Sequence, residues 1–250
     1  MRIVVVLACA LACAACTQEA VRFRAGPGQQ AIVRDGRPAV ISQKQNSLVM
    51  IRPALRQFPS GGRPVFVVGI RNLARTPLDF TVSNVTVTQT AGAETVPMKV
   101  FTYEDLVAEE QTRQVVAALL VGAAAGANTA LAAQAGYRTT TTTGYGPTGS
   151  YSYQTTTYSP SAALSAHRRT MRQNQKFIDA AIKEGQNNLA ALERKVIKDN
   201  TLMPGEWCGG ALHVQAPTQA AGASGPKRYV IALTVGPDRH EIEVRQESVK

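Results

Sequence analysis

Catalytic and metal-binding residue types are scarce in this chain. Its three histidines, His167, His213 and His240, stand in unrelated contexts without the spacing of a metal site. No G-x-S-x-G, H-E-x-x-H or phosphate-loop pattern occurs. The Gly-rich "GYGPTGSY" lacks the Lys-Ser/Thr that a phosphate loop needs, so it reads as a loop. These absences point away from an enzyme and from any cofactor or metal. Cysteine is equally sparse: of four, Cys9, Cys13 and Cys16 crowd the start and only Cys208 stands elsewhere, so a disulfide framework is excluded. With Cys16 otherwise engaged, Cys208 is expected as a buried small hydrophobe; with Cys13 engaged instead, Cys16 becomes a possible oxidised partner for it. Trp207 is the only tryptophan and is expected as core or edge cover. Long apolar runs are missing too. Val115 to Ala127 is unbroken, yet it falls short of the twenty or so residues of a membrane span. Acidic residues are outnumbered, 17 against 27 basic, for a net charge of +10 and a pI near 9.8. An anionic partner is therefore expected.

What is present begins with an address. "MRIVVVLACALACAACTQEA" has a basic residue, Arg2, then an apolar stretch from Ile3 to Ala12 too short to span a bilayer, then small residues. Two registers end in a cysteine. Ala14-Ala15-Cys16 has ideal small residues with Cys13 ahead of them, and Leu11-Ala12-Cys13 has Ala10 in that place. This pattern resembles the lipobox of bacterial lipoproteins. The resemblance implies a signal peptide over 1–15 and acylation of Cys16, with Cys13 as the alternative. Neither Thr17 nor Ala14 is the Asp that in this class signals inner-membrane retention, so the implied location is the periplasmic side of the outer membrane. Residues 16–30, carrying Gly26-Pro27-Gly28, are expected as a short tether.

Short apolar runs of strand type follow, with Leu78, Phe80 and Val82 alternating. "AIVRDGRPAVIS" folds around Asp35-Gly36, a hairpin turn pair, and "NSLVMIRPAL", "RPVFVVGIRNL" and "TPLDFTVSNVTVTQT" follow at spacings of about ten residues. After residue 200, "TLMPGEWCGGALHV", "KRYVIALTVG" and "RHEIEVRQE" resume the pattern. This implies a sandwich rather than an alternating α/β sheet. "FVVGIRNLARTPLDFTVSNVTVT" and "LMPGEWCGGALHV" resemble segments of the small Ig-like, telokin-like sandwiches of bacterial lipoproteins. The expected fold is thus α+β: an Ig-like antiparallel β-sandwich over 31–102 and 201–250, interrupted over 103–200 by a long antiparallel helical hairpin.

Within that interruption, Glu104, Asp105, Glu109 and Glu110 occupy the first turns of one helix, where acids suit the helix dipole. Small residues recur every fourth position at Ala118, Gly122, Gly126 and Ala130, a glycine-zipper ridge against which another helix packs closely, in lipid or in water. The second helix carries a stripe of Met171, Gln175, Ile178, Ile182, Gly185, Leu189, Leu192 and Val196 in steps of four and three. Its charges, among them Arg168, Arg169, Arg172, Lys176 and Lys183, oppose crossing a bilayer alone. Residues 137–161, rich in Tyr, Thr and Gly, are expected as a tip loop without regular structure. Arg138, Arg168, Arg169 and Arg172 flank it as candidate contacts for acidic polysaccharide or lipid headgroups; nucleic acid is not an expected partner. The composite expectation is a non-catalytic scaffold or binding module, self-associating or docking another envelope protein. The alternative is an oligomer whose hairpins insert into the membrane.

Overall fold

In the computed structural model, residues 18–91, 94–147, 149–218 and 225–249 are described. The signal segment, Cys13 and Cys16 lie outside them. Regular structure starts at once with β1 (Gln18–Arg24), followed by β2 (Gln29–Arg34), β3 (Arg37–Gln43), β4 (Ser47–Pro53), β5 (Phe58–Pro59), β6 (Val65–Asn72) and β7 (Leu78–Phe80). Next come β8 (Thr86–Ala91), β9 (Glu94–Met98), β10 (Val100–Phe101), α1 (Tyr103–Gln134), β11 (Tyr137–Gly146), β12 (Gly149–Tyr158) and α2 (Pro160–Lys195). β13 (Asn200–Leu202), β14 (Trp207–Val214), β15 (Lys227–Val235) and β16 (Asp238–Val249) end the chain.

Alternation places the strands. β4 buries every second residue (Ser47, Val49, Ile51, Pro53), and β6 does the same with Phe66, Val68, Ile70 and Asn72. Two six-stranded antiparallel sheets result, ordered β5-β1-β16-β15-β8-β9 and β10-β14-β6-β4-β3-β2. Late strands pair with early ones in both, β16 with β1, β15 with β8 and β14 with β6. One hydrophobic cluster draws on both sheets: Val21, Val87, Ile231 and Val244 from the first, Val49, Ile51, Ile70 and Leu212 from the second. The rings of Phe66 and Tyr229, one from each sheet, meet edge-on at 6.3 Å. At the β2–β3 turn Asp35 and Gly36 both take positive φ, 52° and 69°, as a two-residue hairpin turn requires.

Two segments differ from the sequence reading. The expected tether is largely strand, because Val21 and Phe23 alternate with exposed Arg22 and Arg24 and Val21 enters the core. Only the stretch around Gly26-Pro27-Gly28 remains a turn. The expected tip loop is a two-stranded antiparallel ribbon, β11 with β12, paired over ten positions from Tyr137↔Tyr158 to Gly146↔Gly149. Thr and Tyr are strong strand formers, and the ribbon is exposed on both faces, so no hydrophobic alternation announced it.

The helices start where local chemistry satisfies their free N–H groups. Thr102 Oγ1 accepts from Asp105 N and Asp105 Oδ2 accepts from Thr102 N, a reciprocal box at the head of α1. Pro160 opens α2 after Ser159, whose Oγ accepts from Ala162 N. The chain divides into two compact units. One comprises residues up to Leu106 together with those from Leu192, and the other spans Val107–Ala191. In the first, the segment after α2 crosses tightly over β14, Val196 forming a parallel bridge with Ala211. Gly210 is obligatory there, since a Cβ on it would lie 2.6 Å from Ile197 N.

Candidate functional site

The helical unit has an inverted character. Its inter-helix contacts are polar or very small: Asn174 donates to Ala125 O at 3.2 Å and accepts from Asn128 at 3.4 Å, and Asn188 donates to Glu110 at 3.3 Å. Gly185 is buried, and a Cβ there would come within 2.7 Å of the Gln114 side chain. Arg113 reaches Glu184 at 3.5 Å. Partners on α2 move back along the chain as those on α1 move forward. Glu110 is the anchor of this contact. The Arg113 guanidinium, at 2.8 Å, together with Gln114 and Asn188 holds its carboxyl down to about 2 despite partial burial.

Large apolar side chains lie outside. Leu119 is 69% exposed and Ile182 55%, with Val115, Leu120, Leu131 and Phe177 similarly open, whereas Asn174 is 6% exposed. A groove of about 730 Å³ runs along one side of the helix contact, lined by Val115, Ala118, Val121, Gly122, Ile178 and Ile182 among others. A second, of about 440 Å³, lies on the other side and includes Leu120, Ala124, Phe177 and Ala180. Water gains nothing from such surface, and burying it is worth about 25 cal/mol per Å². A contiguous apolar patch of this kind marks a contact with protein or lipid.

The expected ridge lies on this open side. Ala118, Gly122, Gly126 and Ala130 are all exposed, and a Cβ at Gly122 or Gly126 would meet nothing within 4 Å. The residues of α1 that meet α2 are instead Gln114, Ala125 and Asn128, all half-buried. Along the expected stripe of α2, Gly185 is buried and Leu189 half-buried, while Met171, Gln175, Ile178 and Ile182 are exposed. Among the described residues α1 is the one helix long and apolar enough to cross a membrane, by length and composition.

The basic candidates are separated by element. Arg138 stands on β11 opposite Thr157, while Arg168, Arg169 and Arg172 lie on α2; all four are exposed. Among the described residues no hydrogen bond or ion pair joins Arg138 to the other three. Cys208 is half-buried and not in a disulfide, with burial pushing its thiol up. Trp207 is half exposed, with the Arg71 guanidinium 5.6 Å from its ring centre.

Two buried polar networks had no sequence signal, because their members lie about two hundred residues apart. Fully buried His240 bonds Ser42 Oγ through Nδ1 at 3.0 Å and Ser47 Oγ through Nε2 at 2.8 Å. Ser47 Oγ also donates to Asp238 at 2.7 Å, and Asp238 further accepts from Asn46 N. Burial lowers the His240 pKa to about 4, only partly opposed by Asp238. In the other network Glu19 receives Lys227 Nζ at 2.7 Å, Ser60 Oγ at 2.9 Å and Gln246 Nε2. Burial raises the Glu19 carboxyl, but these donors outweigh it and hold it below its ordinary range. Both networks tie strands together, with His240 and Glu19 buried at their centres and Asp238, Lys227 and Ser60 toward the surface. Among the described residues no group of three or more His, Cys, Asp or Glu is placed to hold a metal ion.

Neither a family model, nor a curated protein, nor a solved structure matches this chain.

Proposed function

We propose that this protein is a non-catalytic, lipid-anchored envelope scaffold that self-associates through its helical unit, on the periplasmic side of a bacterial outer membrane. The two sheets are read as the layers of an Ig-like β-sandwich, supported by their shared core and by the pairing of early with late strands. The two helices are read as an antiparallel hairpin set into it, supported by the opposed order of their contacts. The anchor is the acyl group expected on Cys16, or on Cys13.

One observation carries the functional reading. The helix pair spends its small and polar residues on its own interface and leaves Val115, Leu119, Phe177 and Ile182 to solvent. A second copy satisfies both grooves without new chemistry, because Gly122 and Gly126 admit a neighbouring helix at short range. Disulfide trapping tests this in intact envelopes with Gly122→Cys on a Cys208→Ser background. Covalent dimers are expected from position 122 and none from a control cysteine at exposed Lys183. Equal trapping at both positions, or none at either, sinks the reading.

A second reading, insertion of the helices into the bilayer, draws on the length and apolar composition of α1. Against it stand the exposed arginines of α2, each costing several kcal/mol in hydrocarbon. Alkaline carbonate extraction of a variant with Cys13 and Cys16 both changed to Ser separates the two. Release supports the scaffold, and retention supports insertion.

A further inference from the structure

The first strand leaves no slack between the fold and its anchor. β1 begins at Gln18, so only two peptide steps, about 7 Å at full extension, separate it from Cys16; from Cys13 the reach is about 18 Å. Gln18 lies opposite Val249 on one side and Pro59 on the other. Whatever surrounds that end of the sheets therefore lies against the bilayer, and its composition is distinctive.

The segment leading to Pro59 begins at Ala54, whose carbonyl accepts from Arg37 Nη1 and whose N–H donates to Val65 O. Arg37 follows the β2–β3 turn, and Gly36 in that turn abuts Arg56: a Cβ there would stand 2.8 Å from Arg56 Nη2. Arg34, Arg37 and Arg56 thus gather at the end of the β unit where the anchor attaches. Arg34 and Arg56 are exposed, and beside them Val33 and Leu55 are 75% and 54% exposed. The opposite end, where Asp238 bonds Asn46 and Ser47, mixes Asp79, Glu206 and Asp238 with Lys44, Arg71 and Arg75. At the anchored end Arg34 and Arg56 stand beside open aliphatic side chains, with Asp35 the acidic residue of the same turn, and this pairing of arginine with aliphatic surface suits phosphate groups over an acyl boundary.

We propose that this end of the β unit is a lipid-facing surface for anionic headgroups, with Arg34 and Arg56 taking phosphates, Arg37 bracing the segment between them through Ala54 O, and Val33 and Leu55 entering the interfacial layer. The proposal rests on the lipid-anchor reading and adds an orientation to it. Trp207, at the far end of β14 beside Arg71, becomes a built-in distal reporter.

The test uses full-length lipidated protein in phosphatidylcholine vesicles, with or without phosphatidylglycerol, carrying a headgroup-level spin-label quencher. Trp emission is compared between the natural chain and Leu55→Trp/Trp207→Phe. Strong quenching is expected at position 55 and little at 207, deepening with phosphatidylglycerol. Arg34→Glu/Arg56→Glu in the Leu55→Trp background is expected to lower that contact by about fivefold for each arginine. Equal quenching at the two positions, or quenching at 55 indifferent to anionic lipid and to the arginines, overturns the headgroup surface while vesicle binding shows the anchor intact. Failure to bind vesicles of either composition removes the anchor reading, and the proposal falls with it.

Discussion

Acid weakens the β unit through His240, and the loss can be sized from its surroundings. The ring is fully buried between Ser42 and Ser47, and burial holds its pKa at about 4 against 6.5 in the unfolded chain. The folded state therefore refuses a proton that the unfolded chain accepts. Stability is complete above about pH 6.5, declines as pH falls toward 4, and loses no more from this residue below that. The gap of about 2.5 pH units, at about 1.4 kcal/mol each, corresponds to roughly 3 kcal/mol. Asp238 faces the same site and acts in the same direction at lower pH. Burial raises its carboxyl, but Ser47 and Asn46 outweigh this and hold it below 3.8, so its contribution is lost only as pH falls through that depressed value. The charge of Lys44 also disfavours the imidazolium. Urea unfolding followed by Trp207, which reports the β unit alone, measures the effect between pH 7.5 and 4.5. His240→Phe is expected to cost about 1–3 kcal/mol at pH 7.5, from unpaired serine hydroxyls, and to flatten the decline between pH 6.5 and 4.5. An unchanged slope in the variant would refute the reasoning.

Three further outcomes are expected. Gly210→Ala forces a methyl against the backbone of Lys195 and Ile197, at a cost of about 1–3 kcal/mol in urea unfolding, whereas Gly122→Ala faces open space and is expected to be neutral or slightly stabilising. Lys227→Met strands the buried Glu19 carboxylate and is expected to cost about 3–5 kcal/mol at pH 7. The natural chain is also expected to lose the stability that Glu19 supplies as pH falls below 4.5 and through its lowered pKa, and Lys227→Met to lose less on acidification.

Central strands declared themselves as short apolar runs between turn residues: "SLVMIRP" and "VFVVGIRN" form β4 and β6, whose burial alternates residue by residue although their composition does not. β1 was obscured by the Gly-Pro-Gly that follows it, although Val21 and Phe23 carry the strand period. The Thr/Tyr ribbon was illegible because neither of its faces is buried, so period-two burial had nothing to act on. At the candidate site, spacing located the helices and their small-residue ridge but not the face used between them. That face is set by Asn174 bonding Ala125 and Asn128, and by Gly185 admitting Gln114. The polar residues in these contacts break the apolar periodicity on which a sequence reading relies. His240 and Glu19 were silent because their partners come from strands at the other end of the chain.

Self-association of the helical unit is tested most directly by sedimentation velocity on the full-length protein, in detergent, at rising concentration. Oligomers are expected for the natural chain. Leu119→Lys/Ile182→Lys, which alters only exposed positions, is expected to sediment as a monomer while its Trp207-reported unfolding stays unchanged. A natural chain that is monomeric at every concentration, or a double variant that assembles equally well, would contradict the scaffold.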